Sequence, residues 1–164
     1  MEQKIKEDEL VAMLDEVWPK LQSDIAAIKE ELEKEGYNVL VIGSKQVSLA
    51  QIQNRLGFVI TVESEKVEEL LKILKSGLRG ILSIEFGLSK KMAVFVITIK
   101  YPNKRWALLY PVYYHIDSEW LIKELGKQGL FTFFETGSQG VVGWLSMGSY
   151  QLYLYSRYIE ERDE

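Results

Sequence analysis

An α+β fold is what this sequence predicts: a long, kinked N-terminal helix and two or three further helices on a mostly antiparallel or mixed sheet of about six to eight strands. Three observations carry the expectation. Apolar residues recur at helical spacing from Leu10 to Leu32. Sixteen of the 19 aromatic residues fall in 81–164, leaving only Trp18, Tyr37 and Phe58 before them. Charge divides the same way, with 11 Lys/Arg and 15 Asp/Glu in 1–80 but nine of each afterwards. A charged, helix-rich first half therefore precedes aromatic strands. At 164 residues and 47% hydrophobic, the chain suits a single domain, 1–164, with a substantial core.

Leu10, Leu14, Val17, Leu21, Ile25, Ile28 and Leu32 lie on one stripe of a helix over about 5–35. Pro19 falls inside it, where the missing N–H and the ring clash favour a kink, because the stripe keeps its phase on both sides. Gly36 supplies a stop. The stripe suits either this chain's own sheet or a second copy, since a near-heptad pattern also fits a helix pair.

An α/β segment, 37–86, follows. Tyr37–Ile42 is apolar and β-branched between Gly36 and Gly43, as in a buried strand. Ser48 and Gln51 match a capping box and predict a short helix over Leu49–Leu56, closed by Gly57, before a strand at Phe58–Val62. Ser64 is the expected cap of a helix carrying Val67, Leu70, Leu71 and Leu74 and ending at Gly77.

The antiparallel, strand-rich segment spans 91–158. Strands are expected at Ile81–Phe86, Met92–Tyr101, Trp106–His115, Phe131–Phe134, Val141–Met147 and Tyr150–Tyr158. One helix interrupts them, capped by Asp117 or Ser118 and ending at Gly126. Pro102–Arg105 is turn chemistry for one hairpin, and Gly148-Ser149 for another. Pro111 cannot donate a ladder hydrogen bond and predicts an edge or a bulge. An acidic tail, 160–164, closes the chain, and disorder is expected only there and at the first few residues.

Composition closes off much chemistry. With no cysteine there is no disulfide, thiolate nucleophile or thiolate metal site, and His115, the only histidine, rules out any centre needing two imidazoles. The beginning Met1-Glu2-Gln3-Lys4 lacks an apolar signal region and no run approaches membrane length, which predicts a cytoplasmic protein without membrane contact. Abundant Lys, Glu, Ile, Val and Tyr resemble the bias of thermophile proteins. No cofactor, metal or catalytic residue is assigned.

Four constellations remain. Lys100, Tyr101, Lys104, Arg105 and Trp106 gather cations and aromatics at one hairpin, inside an acid-free window, 86–116, that also holds Lys90 and Lys91. Cations hold phosphates and aromatics stack bases, so nucleic-acid binding is the alternative reading, opposed by a net charge of −4. Tyr153, Tyr155 and Arg157 alternate along the final expected strand as a tyrosine-rich interaction surface for a protein partner. His115 and Asp117 could pair, and with Glu85 or Glu135 would suit a carboxylate hydrolase, the third reading. Gly137–Gly140 matches no phosphate loop, and Thr98 stands where nucleases ending a strand in acid-x-Lys carry a metal ligand. The leading expectation is a non-enzymatic interaction protein that self-associates through an aromatic sheet surface, the N-terminal helix, or both.

Overall fold

A computed structural model describes residues 2–89 and 91–163, and the side chains of 11–89 and 91–159. It is an α+β fold with two four-stranded sheets where the sequence suggested one. Helix α1 spans Glu2–Lys34 and runs unbroken through Pro19. Strands β1 (Asn38–Val41), β2 (Val47–Ile52) and β3 (Arg55–Thr61) follow, then helix α2 (Val67–Leu74). Next come β4 (Ile81–Ser89), β5 (Met92–Tyr101), β6 (Trp106–His115) and helix α3 (Glu119–Leu125). Strands β7 (Phe131–Thr136) and β8 (Gly140–Ser146), a 3-10 turn at Tyr150–Tyr153 and helix α4 (Tyr155–Asp163) complete the chain.

The first sheet has the order β1-β6-β5-β4 and the second β2-β3-β7-β8. Both are mixed, since β1 lies parallel to β6 and β3 parallel to β7 while the other pairs are antiparallel. One face of the first sheet meets α1, where Val17 and Leu21 approach Val94 and Val96 of β5. On the other face Tyr110 packs edge-on against Phe134 of the second sheet, ring centroids 5.5 Å apart, and its hydroxyl meets that of Thr132 at 2.9 Å. The result is three layers: helix, sheet, sheet. Strand β5 is buried along almost its whole length because both its faces are covered.

The α1 stripe packs inward on this chain. Leu14, Leu21, Ile25 and Leu32 are buried, joined by Met13 and Trp18, while the side chain of Leu10 lies outside the described residues. Burial of that apolar face, more than helix propensity, holds a helix of this length. The ends expected to be disordered are helical from Glu2 and through Asp163, with Met1 and Glu164 outside the described residues.

Four local expectations are corrected. The helix read at Leu49–Leu56 is the hairpin β2–β3, in which Val47 pairs with Ile60 and Ile52 with Arg55. Its two-residue turn is Gln53-Asn54, with φ of 50° and 66°, the left-handed pair that matches strand twist. The final strand read at Tyr150–Tyr158 is a 3-10 turn and α4, so Gly148-Ser149 is no hairpin turn. Ser149 Oγ accepts from Gln151 N at 3.3 Å and starts the turn. Pro111 is neither at an edge strand nor at a bulge, for β6 lies between β1 and β5 in continuous register. Carbonyls of Arg105 and Leu109 accept from Asn38 and Ile42, so odd residues of β6 face β1. The pairing ends at Val41, opposite Leu109, before the level of Pro111. Ser64 likewise lies in a 3-10 turn, Ser64–Lys66, and no side chain caps that turn or α2.

Candidate functional site

The hairpin between β5 and β6 forms as expected, closed by Arg105 at φ 55°. Its cations turn back onto the chain. Lys100 Nζ lies 3.6 Å from Glu35 Oε2 and 5.8 Å over the Tyr37 ring. Arg105 stacks on the same ring at 5.5 Å and donates to the Glu35 carbonyl at 3.4 Å, a cation set at the C-terminal end of α1 where the helix dipole is negative. Tyr101 is buried, and burial raises its phenol above the ordinary range. Trp106 is half-buried beneath Lys72, 5.4 Å away. Lys104 is exposed at the tip; Lys90 lies outside the described residues.

The tyrosine series does not share a strand face. Tyr153 is fully buried, with its ring 5.4 Å from Phe95 and 6.5 Å from Phe58, and its hydroxyl donates to the Met147 carbonyl at 2.7 Å. Tyr155 is half-buried at the start of α4, where its amide donates to the Tyr114 hydroxyl at 3.2 Å. Arg157 alone is exposed. Because 150–158 is helical turn and helix, alternation in sequence does not place these side chains on one side.

His115 and Asp117 do meet, with Nδ1 3.4 Å from Asp117 Oδ2. Nδ1 also accepts the Asp117 amide at 3.1 Å, so the imidazole caps the 3-10 turn that opens at Ile116. Glu85 and Glu135 stay apart from it. Glu85 pairs with Val96 on β5, whereas His115 pairs with Met92, two strands over and four residues along. That separation is roughly 16 Å. Glu135 belongs to the second sheet. Among the described residues no group of three or more His, Asp or Glu could hold a metal.

A surface that sequence reasoning missed lies on the outer side of the second sheet. The register aligns Val59, Phe133 and Trp144 across β3, β7 and β8, and beside them Gly57, Phe131 and Ser146. Side chains opposite one another in register share a face, and Phe134 and Phe58 occupy the other one, toward the core. Gly57 gives the Phe133 ring its place, since a Cβ there would come within 2.7 Å of Phe133 Cε2. Arg55 lies over both Trp144, at 4.6 Å, and Phe131, at 5.7 Å from that tryptophan ring and 5.4 Å from the guanidinium. Trp144 remains 49% exposed and Val141 43%. A signal was present: β8, Gly140–Ser146, carries tryptophan and valines but no charged residue.

A family model for DUF7529, a family of unknown function, matches residues 5–154. The chain belongs to this family. The match ends one residue before α4, so the DUF7529 core comprises both sheets and the first three helices. No curated protein and no solved structure matches the chain.

Proposed function

We propose that this DUF7529 member is a non-enzymatic association module that pairs with a second copy of itself through the aromatic face of its second sheet. The observation that supports it is Trp144, half exposed on an uncharged edge strand beside Val141 and the Arg55 cation–π stack. Exposed aromatics with an arginine are characteristic of association surfaces. Strand β8 itself brings no charge to a contact with a two-fold copy, because Gly140–Ser146 has none. The α1 stripe, the other surface considered, is occupied by the first sheet. Nucleic-acid binding has weaker support, since Lys100 and Arg105 are already engaged by Glu35 and Tyr37.

Light scattering and sedimentation across the micromolar range test the reading. A dimer is expected for the native sequence and a monomer of unchanged circular dichroism for Trp144→Glu. A native protein that stays monomeric throughout would refute it.

A further inference from the structure

We propose a second binding site, independent of the Trp144 face: the groove between α1 and β4, which takes up an extended peptide carrying apolar side chains and a lysine or arginine. The groove has a cavity of about 170 Å³. Val17 and Leu21 of α1 and Val94 and Val96 of β5 form its apolar part. Lys20, Asp24 and Glu85 stand at its rim, all exposed, and none of their side chains has an ion pair or hydrogen bond among the described residues. Two carboxylates against one ammonium favour a cationic guest.

Strand β4 supplies the backbone half of the site. It is an edge strand of nine residues with Glu85 as its one charge, little protection against strand addition. The direction of its free groups follows from the register. Ile116 N donates to Lys91 O, so odd residues of β5 turn their amides and carbonyls toward β6 and even ones toward β4. The even residues Val94 and Val96 pair with Gly87 and Glu85. Leu82, Ile84, Phe86 and Leu88 consequently direct their amides and carbonyls outward, without backbone partners among the described residues. A peptide strand laid there gains main-chain hydrogen bonds, and every second side chain points into the groove beside α1, the arrangement by which edge strands flanked by a helix capture peptides.

A second copy fits this edge poorly. The antiparallel register that pairs all nine residues of β4 with a two-fold copy is centred on Glu85, so the two carboxylates would stand directly opposite. A basic, apolar strand meets no such repulsion.

The probes are two short capped peptides of alternating valine and threonine, one with a central lysine replacing a valine, the other with glutamate there. Amide NMR and hydrogen exchange are read on the Trp144→Glu protein, which removes the other proposed surface. The lysine peptide is expected to bind about fivefold tighter than the glutamate peptide and to slow exchange at Leu82, Ile84, Phe86 and Leu88. Glu85→Lys, an exposed position, should reverse the preference. Leu88→Pro, exposed and with its amide outward, should weaken binding without disturbing the pairing to β5. Absence of binding by the lysine peptide, binding that ignores both substitutions, or protection of the same four amides by β4 self-pairing without peptide would each overturn the proposal.

Discussion

The carboxylate of Glu119 in α3 accepts two hydrogen bonds from Ser156 in α4, from the amide at 3.1 Å and from the hydroxyl at 2.9 Å. A first-turn amide of α4 has no partner within its own helix, so a buried carboxylate from elsewhere satisfies it and complements the positive end of the helix dipole. Glu119→Ala is expected to cost about 1–3 kcal/mol and to speed amide exchange in α4. Glu119→Gln, which keeps an acceptor, should lose less. Urea denaturation with hydrogen exchange distinguishes the two.

Three buried phenols set the alkaline limit. Burial raises Tyr110, Tyr114 and Tyr153 well above their ordinary value of 10.0. Because the folded state holds these protons more tightly than the unfolded chain, their contribution is complete below pH about 10 and falls as the pH climbs beyond it, by up to about 1.4 kcal/mol per pH unit for each. Denaturation midpoints measured from neutral to strongly alkaline pH should be flat and then decline steeply. Tyr153→Phe should make the decline shallower.

Gly57→Ala is expected to destabilise by about 1–3 kcal/mol through overpacking. The added Cβ would stand 2.4 Å from the Phe131 carbonyl oxygen and 2.8 Å from its carbon, both backbone atoms of the neighbouring strand. Thermal unfolding measures the loss, and near-ultraviolet circular dichroism should report a displaced Phe133 ring.

Pro19→Ala should do the opposite. Pro19 is exposed in mid-helix and cannot donate to the carbonyl one turn earlier. Restoring the donor is worth up to about 3 kcal/mol in a helix interior, less about 0.4–1 kcal/mol for the freer unfolded chain. A rise in melting temperature is the expected reading.

The sequence carried the long helix, strands β5 and β6 to the residue, and the turn between them, because ten-residue β-rich runs flanking Pro-Asn dominate any local alternative. It misled where one local rule matched by coincidence. Ser48 and Gln51 have capping-box spacing, but pairing to β3, with Val47 buried, won through a Gln53-Asn54 turn that lacks the usual glycine. Tyr153 and Tyr155 alternate like a strand, yet contacts with Phe95 and Tyr114 from distant segments, and with Met147 six residues earlier, decide their conformation. Trp144 lies within the expected strand Val141–Met147, and only the register shows that it faces outward. The partition into two sheets was not legible, since strand order depends on which remote segments meet.

Neither sheet belongs to one half of the chain. Asn38 of β1 must find Trp106, and Gly57 of β3 must find Phe131, before either parallel pair exists. During synthesis the β2–β3 hairpin can close early, but it waits with its apolar face unpaired until β7 leaves the ribosome. Such long-range parallel closure slows folding and prolongs exposure of sticky edges. The nascent protein therefore passes through an interval in which residues up to 130 have been made and the second sheet has no β7 or β8, a window in which chaperone capture would matter most.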